Sequence, residues 1–248
     1  MQGQDQNIPK SGCETNMNLS FQLVDTASPR PLSVELDSLV IVGWAGRDLV
    51  AIEKHVAELA ALGVGRPSAI PLYYRVAVTQ LTQAPRIQVL GAHTSGEAEV
   101  FLFQTAGELF VSLVSDHTDR QVEAQGVALS KQVCAKPVGS SAWRYADVEG
   151  HWDDLILRSS IEEGDATTVY QEGSLAELKP ASDLLAGYRR SMGLLGTELP
   201  DRAAMSCGTL AAIGGIRPAR SFAMELIDPH RRCSLRHDYS IEVLPVVA

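Results

Sequence analysis

At 248 residues, with a hydrophobic fraction of 45% and a charged fraction of 21%, the chain can bury a sizeable core, and its composition excludes a disordered or fibrous protein. A formal charge of −9 and a sequence pI of about 5.1 argue against a nucleic-acid partner, because phosphate-backbone binding is driven by counterion release to clustered Lys and Arg. Cys13, Cys134, Cys207 and Cys233 form no CxxC pair, and no segment approaches the roughly 18 apolar residues of a membrane span, so the expectation is a cytoplasmic protein with reduced thiols and no membrane association.

Residues 1–16 are polar and rich in Gln, Asn and Gly, and are expected to form a flexible extension before a single domain over 17–248. Apolar runs over 19–24 and 32–42 read as β structure around the turn Ser28-Pro29-Arg30-Pro31. From Asp48 onward Leu49, Ile52, Val56 and Leu59 recur three and four apart, and Gly63 offers a C-cap, which predicts an amphipathic helix over 48–62. Strands are expected over 86–90, 97–104 and 109–115, the last two joined as a hairpin at Thr105-Ala106-Gly107-Glu108. A further strand pair over 155–160 and 167–171 turns at Glu163-Gly164-Asp165. A helix over 180–192 has Pro180 in its first turn, and strands over 222–227 and 235–244 close the chain around Asp228-Pro229-His230. Fold class is therefore α+β and mainly β.

Three local patterns could carry chemistry. Glu97-Ala98-Glu99 sits in an apparent strand, where residues two apart share a face, so two carboxylates would converge. Such a pair is costly unless a cation neutralises it, and oxygen-only ligation suits Mg²⁺, with Mn²⁺ or Ca²⁺ as options. Asp116, just beyond the hairpin, could add a third oxygen. A solvent-facing acidic edge explains Glu97 and Glu99 equally, and Asp116 and Asp119 could simply cap a turn. His55 and Glu58 are neighbours on the predicted helix, a spacing that lets a carboxylate orient an imidazole and also suits an ordinary surface pair. Lys131 could supply positive charge to an enolate, whereas most lysines merely solvate a surface. No HExxH helix, GxSxG elbow or phosphate loop is present.

In order along the chain, these motifs resemble the fumarylacetoacetate hydrolase superfamily from about Gly43 onward. Gly46-Arg47-Asp48 leading to His55-Val56-Ala57-Glu58 is similar to the superfamily's lid helix with its His-x-x-Glu dyad, and Pro71-Leu72-Tyr73-Tyr74 to the Pro-containing strand that follows. Glu97-Ala98-Glu99 resembles the Glu-x-Glu metal pair, and Ser115-Asp116-His117-Thr118-Asp119-Arg120 the Asn-Asp-x-Ser/Thr-Ala-Arg motif, with Asp116 as third ligand and Arg120 matching. Leu129-Ser130-Lys131 looks like the active-site lysine segment. Gln171-Glu172-Gly173-Ser174 resembles the Gln-x-Gly-x-Thr stretch, with Leu175 in place of Thr. Gly208-Thr209 resembles the start of the Gly-Thr-Pro-x-Gly-x-Gly loop, with Leu210 in place of Pro and Ala212 in place of the middle Gly. His117 and Asp119 depart from the metal motif.

The resemblance implies a mixed β-sandwich roll with peripheral helices, and a homodimer. It also implies a metal held by Glu97, Glu99 and Asp116, catalysis by His55, Glu58 and Lys131, and substrate contacts from Arg120, Gln171, Gly208 and Thr209. The implied reaction is hydrolase or lyase cleavage of a C–C bond in a small 2-oxo or diketo acid. A hydratase or isomerase of an oxo-dienoate is the enzymatic alternative, and a metal-containing binding protein without turnover is the other.

Overall fold

The computed structural model describes residues 15–24, 28–61 and 65–247, the side chains of residues 55 and 58–61 excepted. Nearly all of the expected N-terminal extension and the proposed Gly63 cap thus lie outside the described residues. The first apolar runs form β1 (Met17–Leu23), β2 (Arg30–Leu36) and β3 (Ser38–Gly43). Helix α1 (Leu49–Ala61) follows, its first turn capped by the Asp48 carboxylate, which accepts from the Val50 and Ala51 N–H groups. The chain continues through β4 (Leu72–Val76), β5 (Leu81–Thr82), β6 (Arg86–Leu90), β7 (Thr94–Ser95), β8 (Ala98–Thr105), β9 (Glu108–Ser115) and β10 (Thr118–Asp119). Short helices α2 (Arg120–Glu123) and α3 (Val127–Val133) lead into β11 (Lys136–Pro137), β12 (Ser141–Arg144), β13 (Ile156–Glu163) and β14 (Ala166–Ser174). Helix α4 (Ala181–Ser191), β15 (Ala203–Thr209), β16 (Ser221–Asp228) and β17 (Cys233–Leu244) complete it.

Eight strands form one sheet in the order β2-β1-β12-β9-β8-β15-β3-β4, and five form a second, β14-β13-β16-β17-β6. The run expected as one strand over 32–42 is two. At Asp37, whose N–H donates to the Arg202 carbonyl, the chain leaves the edge beside β1 and re-enters the sheet between β15 and β4. The hairpin of β8 and β9 forms as expected, with Ala106 and Gly107 at φ 52° and 78° in its two-residue turn.

The large sheet is buried on both faces, so strand alternation feeds two cores. Val40, Val42, Val100 and Leu102 pack with Leu157, Phe222, Leu226 and Tyr239 of the second sheet and with Leu184, Leu185 and Tyr188 of α4. Leu39, Ile41, Phe101 and Phe103 point the other way, onto Phe21, Val34 and Leu36. Phe21 stacks on Phe103 with ring centroids 4.4 Å apart, because β1 and β2 curl back over the sheet's own face. The apolar-biased segment ahead of Lys131 is helix α3. Among the described residues, no helix is long and apolar enough to cross a membrane.

Two short ladders outside the main sheets decide where the site lies. β7 pairs antiparallel with β10, and β5 pairs parallel with β11. Together they fold the segment between β9 and β12 back over the end of the β8–β9 hairpin.

Candidate functional site

At that hairpin end, Glu97 immediately precedes β8, Glu99 lies within it, and Asp116 immediately follows β9. One carboxylate oxygen from each of the three lies within 4.8 Å of the others. Glu99 and Asp116 are buried, and Glu97 is partly exposed. Asp116 N–H donates to the Glu97 carbonyl at 3.0 Å, which ties the two ligand segments together through the backbone.

Two lysines meet Asp116. Lys131 Nζ, from α3, bonds Oδ2, and Lys136 Nζ, from β11, stands 2.8 Å from Oδ1. Lys136 is fully buried and also donates to the His117 carbonyl at 2.7 Å. Burial alone would raise the Asp116 pKa, but the two ammonium groups outweigh it and hold the carboxyl well below the usual carboxylate range. Lys131 is raised although burial opposes this, because Asp116, Glu97 and Glu99 surround it with negative charge. Glu99 goes the other way, pushed up to about 8 by burial and then by the Asp116 charge. Glu97 is raised by burial, with Arg120 acting against the shift.

The oxygen-only donor set fits a hard divalent cation. Three carboxylate oxygens within 4.8 Å of one another are the evidence: burial first, and then the Asp116 charge, oppose ionisation of Glu99, and a dication would offset both. Asp116 Oδ1, fully buried, meets the Lys136 ammonium at 2.8 Å and, as a carboxylate oxygen, keeps a second lone pair for a cation. Glu97, Glu99 and Asp116 are the residues that could hold such an ion.

The residues expected to contact substrate brace this cluster. Arg120 pairs with Glu97 at 3.0 Å and Glu123 at 2.8 Å, and its Nε donates to Ser95 Oγ at 2.7 Å, so its fork sets the Glu97 carboxylate. β15 slips register against β8 between Ser206 and Thr209, and this bulge aims the Gly208 N–H at Glu99 Oε2, 3.0 Å away. Only glycine suits that position, where φ is +86° and a Cβ would lie 2.4 Å from that of Ala45. Thr209 Oγ1 donates to the Ala98 carbonyl. Gln171 uses every polar valence internally: its Oε1 accepts from Ala98 N–H and Ser159 Oγ, and its Nε2 donates to Thr209 Oγ1 and the Leu210 carbonyl. A Gln171→Leu variant strands the Ala98 and Leu210 backbone groups, and urea unfolding should show a loss of roughly 2–3 kcal/mol. A loss below half of the lower figure would show that Gln171 does not brace the strand that carries Glu99.

His55 and Glu58 fall on α1, but their side chains lie outside the described residues. Asp119 caps α2, its Oδ1 accepting from the Gln121 and Val122 N–H groups. His117 is fully buried between Thr94 Oγ1 and the Tyr239 hydroxyl, each 2.9 Å from a ring nitrogen. Burial, then Lys136 and Arg120, push its pKa down to about 3, so it is a neutral strut. Lys136, His117 and Tyr239 were missed as site residues by the sequence reading. For Lys136 a signal existed, since it is set among Cys134, Ala135, Pro137 and Val138, where a solvated lysine is out of place.

Solved structures share this architecture. The crystal structures of Cg1458 align at 15% identity over 90% of this chain and 86% of theirs, with a TM-score of 0.56. A hexagonal crystal form of 2-keto-3-deoxyarabinonate dehydratase aligns at 13% identity over 85% of this chain and 74% of its own, TM-score 0.57. The 2-keto-3-deoxy-D-arabinonate dehydratase complexed with magnesium and 2,5-dioxopentanoate aligns at 13% identity over 84% and 74%, TM-score 0.56. At such identities the likeness is one of fold, and the fold is the mainly β, fumarylacetoacetate hydrolase-like one that the sequence led us to expect. No curated protein matches the sequence. The family described as "Protein of unknown function (DUF2848)" matches residues 42–239, most of the chain, and the protein belongs to that family.

Proposed function

We propose that the protein is a divalent-metal-dependent enzyme of the fumarylacetoacetate hydrolase superfamily that cleaves a C–C bond in a small 2-oxo or diketo acid. The observation carrying this reading is the convergence of Glu97, Glu99 and Asp116 oxygens within 4.8 Å, with the Lys131 ammonium against Asp116. A bound cation supplies Lewis acidity toward the keto and carboxylate oxygens of such a substrate. The chain's own groups do the rest. Lys131 carries positive charge to the side where negative charge grows on the keto oxygen as the neighbouring bond breaks. Arg120 orients Glu97 and favours its ionised form, and His55 with Glu58 on α1 acts as the base that holds and deprotonates water. We further propose that the enzyme works as a homodimer in the cytoplasm.

Loss of hydroxide in place of C–C cleavage is the second reading. The fold neighbour complexed with magnesium and 2,5-dioxopentanoate, a dehydratase, supports it. Both pass through an enolate of a 2-oxo acid, released by bond cleavage in the first reading and formed by removal of a C3 proton before hydroxide leaves in the second. The test is metal analysis of the purified protein and a screen of 2-oxo acids and acylpyruvates, with products read by mass spectrometry in ¹⁸O-labelled water. Turnover should require Mg²⁺ or Mn²⁺, cease with EDTA, and fall by about a hundredfold or more in Lys131→Met. Label incorporation separates hydrolysis from dehydration. Ligand affinity without turnover would favour a binding protein, and turnover indifferent to EDTA would overturn the metal role.

A further inference from the structure

The two lysines on Asp116 are not equivalent. Lys136 is 0% exposed and has two anchors, Asp116 Oδ1 and the His117 carbonyl. Its strand, β11, is held in place by β5. Lys131 is 6% exposed and stands near the end of the short helix α3. Among the described residues its hydrogen bond is to Asp116 Oδ2, and its Nζ lies 5.7 Å from the centre of the Tyr74 ring. Only Lys131 therefore has a second resting place, over an aromatic face on β4.

The charges lean the same way. Glu97, Glu99, Asp116 and Glu123 face Lys131, Lys136 and Arg120, four acids against three bases. With all of them ionised and a divalent cation bound, the cluster holds one excess positive charge, which a single carboxylate of an incoming ligand neutralises.

Resting on the metal-dependent reading above, we propose that Lys131 is a displaceable counter-ion. In the metal-free protein it occupies Asp116 Oδ2, and a divalent cation binding at the three carboxylates releases it. The freed ammonium, over Tyr74, then stands beside the keto oxygen of a mono-anionic 2-oxo acid. Binding is consequently ordered, cation first and acid second, while Lys136 stays on Asp116 throughout and keeps it charged.

The test reads lysine accessibility directly. The full chain is treated with an amine-reactive reagent, with and without saturating Mg²⁺, and modification is mapped by peptide mass spectrometry. Lys131 labelling should rise several-fold with Mg²⁺ while Lys136 stays protected, and Glu99→Gln should abolish the rise. In calorimetry, Lys131→Met should bind Mg²⁺ at least about tenfold more tightly than the native protein, and Lys131→Arg, which keeps the charge, should not. Lys131 labelling that stays constant or falls when Mg²⁺ is shown calorimetrically to bind would overturn the displacement. Equal or weaker Mg²⁺ binding by Lys131→Met would overturn it as well. Failure of the native protein to bind Mg²⁺ or Mn²⁺ at all would remove the metal-dependent reading, and this proposal with it.

Discussion

Asp116→Ala is expected to destabilise the protein by about 3–5 kcal/mol, because the variant leaves two buried ammonium groups without their counter-charge. Lys136 is 0% exposed and Lys131 6%, so neither can recover hydration without the surrounding chain opening. The surviving acids compensate poorly: Glu97 is already committed to Arg120, and Glu99 is pushed up to about 8 and is mostly protonated at neutral pH. Chemical denaturation of native and variant protein measures the loss. Asp116→Leu combined with Lys136→Met should recover a substantial part, since an apolar pair of similar volume removes the desolvation penalty. A single-variant loss under about 1 kcal/mol would show that the lysines are hydrated or deprotonated and that Asp116 is not their anchor. Since the same variant disturbs folding, loss of metal in it does not by itself assign a ligand.

Glu99→Gln separates the two effects. It removes one anionic oxygen at nearly constant volume and leaves Lys131 and Lys136 paired with Asp116. Divalent-cation affinity should drop by about a hundredfold or more, with the fold retained. The pH dependence follows from the raised pKa. Between the ordinary value of 4.5 and about 8, folded Glu99 keeps a proton that the unfolded chain releases. Glu99 therefore lowers the stability of the metal-free protein as pH rises through that window; below 6.5 the buried neutral His117, at about 3, contributes the opposite slope, so the net fall is expected between about 6.5 and 8. Cation binding must expel the same proton, so apparent affinity should climb about tenfold per pH unit below 8 and flatten above it. Melting temperature in EDTA and calorimetric affinity, each followed from pH 5 to 9, check both slopes, and Glu99→Gln should remove the fall in stability between about 6.5 and 8. A native affinity independent of pH across the window would contradict a protonated Glu99.

Much of the framework could be read locally because local geometry produces it. The helix-prone segment opened by Pro180 is α4, and its Leu184, Leu185 and Tyr188 are buried. Strand-like apolar runs on either side of Ala106-Gly107 located the β8–β9 hairpin, and with it the two chain ends where Glu97, Glu99 and Asp116 stand. Proximity in a hairpin is short-range, so acids flanking its two ends must come near each other.

The electrostatics of that cluster were decided elsewhere. Lys136 reaches Asp116 because β11, two residues long, pairs in parallel with β5, a contact too short to leave a periodic trace. Gln171, read as a substrate contact, is a brace because β14 carries it beneath the start of β8 and the end of β15. Arg120, read the same way, is held by Glu97 and Glu123. Residue type and spacing thus determined which elements form and which acids could gather. Only the tertiary structure decided which of them are charged, since a buried group's ionisation depends on every partner that packing brings within a few ångströms, whatever its distance in sequence.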